Sequence, residues 1–237
     1  MIVSTSGITK EARDFLIEML YKIERRVIMK YYRNSNVFEK IDTEEKAYWL
    51  GFLYADGYVD PERGEIILGL ADKDKEHIDK FRLFLETNAP YKDKINNQKK
   101  PYRFFRLYDK KLCEDLEKQG LYRKKSLTLE PKMIIPNEFL IAWSRGLFDG
   151  DGSIFPQKNS KNSIRYRIDL MGTEPVLNYV MNLWQISKKL DRNRTVPKIV
   201  VAGKREVNRI LHLLYDDATI YLDRKYNLSR TAIESNL

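Results

Sequence analysis

An α+β fold built from two similar halves is what this sequence predicts, and three observations predict it. A fifteen-residue segment recurs at an offset of 95, each copy leads into the same order of helical and strand patterns, and two basic stretches alternate with acidic ones. The copies are Glu45-Lys-Ala-Tyr-Trp-Leu-Gly-Phe-Leu-Tyr-Ala-Asp-Gly-Tyr-Val59 and Leu140-Ile-Ala-Trp-Ser-Arg-Gly-Leu-Phe-Asp-Gly-Asp-Gly-Ser-Ile154. A repeat of this kind sets the fold before any single element is assigned. The unit reads α-β-β-α-β-β-α, twice, behind an N-terminal helical extension. That divides the chain into an extension over 1–40, a first half over 41–132 and a second over 133–237.

The extension takes Thr9 as an N-cap and carries Leu16, Leu20, Ile23, Val27 and Tyr31 on one helical stripe. After the first copy come a turn at Asp60-Pro-Glu-Arg-Gly64 and an apolar strand, Glu65 to Leu70; after the second, a polar tip, Gln157 to Ser163, and the strand Arg165 to Leu170. Helical spacing then links Ile78, Phe81 and Leu85 in one half and Val176, Val180 and Leu183 in the other. Strands near Tyr102 to Tyr108 and Lys198 to Ala202 follow, and a helix closes each half at Lys110 to Gln119 and Arg205 to Tyr215.

Within the repeated segment small residues fall four apart: Ala47, Gly51 and Ala55, then Ala142, Gly146 and Gly150. Glycine inside a helix costs about 1 kcal/mol relative to alanine, so a stripe kept in both copies predicts two helix backbones in close contact. Trp49, Leu50, Leu53, Leu147 and Phe148 then face their own cores. Asp56 and Asp151 follow the stripe by one residue, which brings both carboxylates to the negative ends of the paired helices. A cation relieves that repulsion, and hard oxygen donors suit Mg²⁺, Mn²⁺ or Ca²⁺. Asp149-Gly-Asp-Gly-Ser153 is not a calcium loop, because the twelfth position, where a bidentate Glu is required, is Ser160.

The chain has 237 residues, net charge +9 and one cysteine, Cys113, so no internal disulfide or all-cysteine zinc site can form. No run approaches the roughly 20 apolar residues of a membrane helix, and the first residues lack a signal-peptide pattern; a cytoplasmic protein without membrane contact is expected. Residues 88–132 carry +7, residues 157–209 carry +8, and the remainder sums to −6. Two basic faces suit a phosphate backbone. Arg103 and Arg106 interleave with aromatic residues in the first, while Lys158, Asn159, Lys161, Arg165 and Arg167 occupy the second hairpin. His77 and His212 lie far apart without a Cys or Asn partner and read as structural or surface residues.

Trp49-Leu-Gly-Phe-Leu-Tyr-Ala-Asp-Gly57 and Ser144-Arg-Gly-Leu-Phe-Asp-Gly-Asp-Gly152 resemble the two motifs of a single-chain LAGLIDADG homing endonuclease. The resemblance covers residues 41 to about 228. It implies two halves related by a pseudo-twofold axis through the motif helices, with curved antiparallel sheets forming a saddle for double-stranded DNA. It also implies a monomeric, Mg²⁺-dependent nuclease that makes a double-strand break in a long, partly palindromic target. In such an enzyme Mn²⁺ substitutes for Mg²⁺ and Ca²⁺ supports binding more than cutting. Asp56 and Asp151 become the metal-binding acids, with the carbonyls of Ala55 and Gly150 as further ligands. Basic residues late in each half become catalytic candidates: Lys125 and Lys225 first, then Lys124 and Arg224. A bacterial, phage or organellar gene for intron homing fits. The alternatives on this fold are a group I intron maturase, which binds structured RNA, and a regulator that binds DNA without cutting. Intein splicing lacks the terminal Cys or Ser and the His-Asn end.

Overall fold

The computed structural model describes residues 31–158, 164–192 and 196–235. The first half runs α1 (Glu44–Asp56), β1 (Gly57–Asp60), β2 (Glu65–Ala71), α2 (Glu76–Phe84), β3 (Tyr91–Ile95), β4 (Pro101–Tyr108) and α3 (Lys110–Lys118). The second runs α4 (Leu140–Asp151), β5 (Gly152–Lys158), β6 (Ile164–Met171), α5 (Glu174–Leu183), β7 (Lys198–Ala202), α6 (Lys204–Tyr215) and α7 (Asp223–Glu234).

Helix α1 starts where the extended Thr43 accepts a hydrogen bond from the Lys46 amide through its side chain, with Glu44 and Glu45 at the positive helix end. Ala47 through Tyr54 are all buried. A helix buried on every side has no polar stripe, because one flank meets its own sheet and the other the opposite half. Helix α4 is its counterpart, buried from Ala142 through Asp149. The predicted small-residue stripe is the contact between them. A Cβ on Gly51 would lie 1.9 Å from the Trp143 carbonyl oxygen, and one on Gly146 would lie 2.0 Å from that of Tyr48. Trp49, Leu50, Leu53, Leu147 and Phe148 are buried beside the seam, as expected.

Each sheet is antiparallel, ordered β1-β2-β4-β3 in the first half and β5-β6-β7 in the second. The unit called for a fourth strand in the second half; among the described residues that place holds only a bridge between Asp191 and Lys198. The first hairpin closes at the predicted turn, where Gly64 takes a φ of +61°. One face of each sheet is covered by helices: Ile66, Leu68, Phe105 and Leu107 bury with Ile78, Phe81, Leu112 and Leu116, and Ile168, Leu170, Ile199 and Val201 with Val176, Val180, Ile210 and Leu211. The opposite faces are open. Helix α7 adds an element beyond the repeated unit.

The predicted N-terminal helix stripe from Leu16 to Val27 lies outside the described residues, as do Asn159 and Lys161. Val37 and Phe38 enter the core of the first half, and the Asn34 amide donates to the Leu85 carbonyl at 2.9 Å. The segment just ahead of residue 41 is therefore packed as part of that half. Among the described residues no helix is long and apolar enough to cross a membrane.

Candidate active site at the helix interface

Asp56 and Asp151 are the last residues of α1 and α4. The glycine seam sets their separation: a Cβ on Gly150 would stand 2.2 Å from the Ala55 Cβ and 3.4 Å from Asp56 Oδ2. Asp56 lines a cleft with Gly69, Ala71, Ser153, Arg224 and Lys225, open to solvent on one side and crowded by protein on the other, while Asp151 is half-buried. Surrounding protein removes water from Asp56, and the Asp151 charge adds to that, holding its carboxyl up at about 6 against the opposing pull of Lys225 and Lys125. Burial raises Asp151 as well. The site is short of positive charge.

Two lysines answer part of that deficit, and they are the two that the family resemblance singled out. Lys125 opens a single 3₁₀ turn, Lys125–Leu127, behind Lys124, whose φ of +62° is left-handed. Its ammonium donates to the Tyr54 carbonyl at 2.7 Å and the Ala55 carbonyl at 3.3 Å. Lys225 stands in the first turn of α7 and donates to Phe148 and Asp149 at 2.6 Å each and to Gly150 at 3.3 Å. Each ammonium thus sits on the terminal carbonyls of its own motif helix, at the negative helix end. Side by side with the acids, both are buried, at 6% and 3% exposure. Burial lowers both pKa values, that of Lys225 to about 8. Neither is a solvated surface cation. Of the second choices, Arg224 forms a bidentate pair with Asp74 at 2.7 and 2.8 Å.

Beneath the site lies a polar network that the sequence did not disclose. Asp149 accepts from the Tyr48 hydroxyl at 2.8 Å, the Tyr215 hydroxyl at 2.6 Å and the Leu222 amide at 2.7 Å. His77 Nε2 meets the same Tyr48 hydroxyl at 2.8 Å. Burial pushes His77 down to about 3, so it stays neutral. His212 lies on the surface beside Asp216, 2.8 Å away. The two histidines are structural and superficial, and no group of three or more His, Cys, Asp or Glu among the described residues gathers as a metal cluster.

Among the proposed DNA contacts, Arg103 requires a correction. It shares the helix-covered face with Phe105 and Leu107, is 8% exposed, and is held by Asp93 at 2.9 Å and Asp79 at 2.9 Å over the Tyr91 ring. The alternation of the strand puts it there, which Phe105 and Leu107 at i+2 and i+4 already signalled. Arg106 is on the open face, 3.0 Å from Glu65. Strand pairing sets Phe104 opposite Lys92 and Tyr102 opposite Lys94, adding two exposed lysines that the sequence reading passed over. On the second sheet Arg165 is exposed and Lys158 stands at the hairpin tip; Arg167, one pleat from Arg165 on the same face, is paired with Asp169 at 2.7 Å.

No family model matches the sequence. Over 113 residues the chain is 32% identical to the replication factor C small subunit of Methanocaldococcus jannaschii, a stretch covering 47% of this chain and 6% of that protein. Over 142 residues it is 27% identical to an uncharacterized protein of the same organism, covering 56% of this chain and 51% of that one. The chain thus spans only part of the curated relatives it matches. Solved structures match much more of it. The LAGLIDADG homing endonuclease I-GzeII in complex with its DNA target superposes with a TM-score of 0.57 over 80% of this chain and 90% of that one, at 12% identity. The meganuclease I-AabMI bound to uncleaved DNA gives 0.56 over 79% and 89% at 15% identity, and I-LtrWI bound to target DNA gives 0.55 over 84% and 90% at 9%. The chain has the LAGLIDADG homing endonuclease fold. In this chain the two repeated segments form the packed helices α1 and α4, with Asp56 and Asp151 at their ends.

Proposed function

We propose that this protein is a site-specific DNA endonuclease that hydrolyses one phosphodiester on each strand of a long, partly palindromic duplex, using a divalent cation held between Asp56 and Asp151. The observation that carries the reading is the pairing itself: two carboxylates at the negative ends of two packed helices, between two open sheet faces that bear cations. The donor set fits a hard cation. It offers two carboxylates and the carbonyls of Ala55 and Gly150, which have a second lone pair available beyond the 3.3 Å contacts from Lys125 and Lys225. So few protein ligands suit Mg²⁺, which keeps several waters and takes substrate phosphate oxygens. When bound, such an ion lowers the pKa of a coordinated water and offsets charge on the phosphate under attack.

The chain's own groups do the rest. Arg106, Lys92 and Lys94 on one sheet and Arg165 on the other hold the phosphate backbone and set the register of the duplex. Asp56 and Asp151 orient the oxygens around the scissile phosphate, and the Lys125 and Lys225 ammoniums place fixed positive charge where negative charge grows in the transition state. Water adds to phosphorus and gives up a proton to solvent, one ester P–O bond breaks, and the leaving oxygen takes up a proton, so that each cut leaves one phosphomonoester end and one hydroxyl end. The test is selection of cleaved duplexes from a randomised DNA library in Mg²⁺, with Ca²⁺ and a structured group I intron RNA as comparison arms. Mg²⁺-dependent double-strand cleavage of a recovered sequence, with Ca²⁺ supporting binding but little cutting, is expected. Tight DNA binding with no cutting in Mg²⁺ or Mn²⁺ turns the reading toward a regulator, and RNA preferred over every duplex turns it toward a maturase.

A further inference from the structure

The two buried lysines are held in place by different parts of the molecule. Lys125 is reached through residues 119–125, which are tied mainly to the first half, the exception being the Ile134 amide, which donates to the Gln119 side chain at 2.7 Å. The Leu121 amide donates to the Leu116 carbonyl at 3.0 Å, the Tyr54 hydroxyl donates to the Gln119 carbonyl, and Arg123 stands 3.7 Å from Asp60.

Lys225 is reached through residues 219–225, and that strap is tied three times to the first half. Glu44, in the first turn of α1, accepts from the Thr219 amide at 3.0 Å and from its hydroxyl at 2.7 Å. Lys80, on α2, donates to the Tyr221 carbonyl at 3.2 Å and to Asp223 at 2.7 Å. Asp74, in the turn after β2, takes the side-on bidentate pair from Arg224, and it is 11% exposed. Asp223, Arg224 and Lys225 are consecutive in the first turn of α7. Two of these three residues are therefore anchored across the interface, on the residues immediately preceding Lys225.

We propose that Asp74 and Lys80 are positioning residues for Lys225, so that one of the two strand cuts depends on this clamp between the halves while the other, served by Lys125, does not. This inference rests on the nuclease reading and adds to it a built-in inequality of the two cuts. An ion pair near the surface contributes little to global stability. A displacement of about 1 Å at a catalytic group can nevertheless slow chemistry about a hundredfold.

The experiment uses the full chain and the duplex recovered by library selection, with a different fluorophore on each strand, and follows both strand cuts in single-turnover reactions. Asp74→Ala and Lys80→Ala should each slow one cut about tenfold or more, leave the other within about twofold, and accumulate a nicked duplex. The slowed strand should be the one most impaired by Lys225→Ala, and Asp74→Glu should recover most of the rate. In metal-free, DNA-free protein, hydrogen exchange at the Leu222 and Lys225 amides should accelerate in Asp74→Ala. Equal slowing of both strands, or unchanged cutting of both, overturns the clamp while leaving the nuclease reading intact. A wild-type chain that binds DNA but for which the library yields no cleaved duplex overturns both.

Discussion

Asp56 sits where a carboxylate is disfavoured, and that has a measurable sign. Its folded pKa, about 6, lies above the ordinary aspartate value of 3.8. A raised carboxyl pKa means that the folded chain holds the proton more tightly than the unfolded chain. The associated stability is complete below the unfolded pKa and disappears as pH rises through the folded one. Without metal, wild-type protein should therefore lose stability relative to Asp56→Asn between about pH 4 and about pH 6.5, and added Mg²⁺ should recover it. Thermal melts of both proteins across that range check this; a constant difference between them contradicts it. The residue scale also shows what the sequence makes legible. Both acids follow from the duplication, because a motif found twice fixes two equivalent positions. Lys125 and Lys225 came from family resemblance, since nothing local marks a lysine as buried. Asp149 was hidden because its partners, Tyr48 and Tyr215, are 101 and 66 residues away.

At the scale of elements, the seam between α1 and α4 is the most constrained feature. Gly51→Ala or Gly146→Ala gains helix propensity worth about 1 kcal/mol. Either change also drives a methyl group into a backbone carbonyl of the facing helix, at 1.9 or 2.0 Å, where no rotamer can yield. Overpacking of this kind should win by about 3 kcal/mol, lowering the melting temperature by roughly 6 to 12 °C. Gly69→Ala is the control: its nearest neighbour would be 3.8 Å away, and it should melt near wild type. If all three variants melt alike, the helices do not meet where described. The stripe was readable because four-residue spacing is local. The face of Arg103 was readable in principle from strand alternation, but its charge drew the reading toward solvent. That the fourth strand expected in the second half is reduced, among the described residues, to one bridge was not readable, because strand pairing depends on a distant partner.

For the whole molecule, the charge pattern and the duplication together predict how it meets DNA. If the two open faces neutralise about 6 to 10 phosphates, affinity should fall by about 10³ to 10⁵ between roughly 50 and 200 mM salt. A nearly flat salt response contradicts contact through the sheet faces. The duplication supplies within one chain the symmetry that a homodimer supplies between two, so each chain should carry both acids to one target. The most direct measurement compares Asp56→Asn, Asp151→Asn and an equal mixture of the two on the selected duplex, scoring binding and double-strand cleavage together. Each variant should bind with near wild-type affinity and fail to make the double-strand break, and the mixture should fail as well. Wild-type cleavage by either single variant, or cleavage restored by mixing, would contradict the assignment of one catalytic pair within one chain.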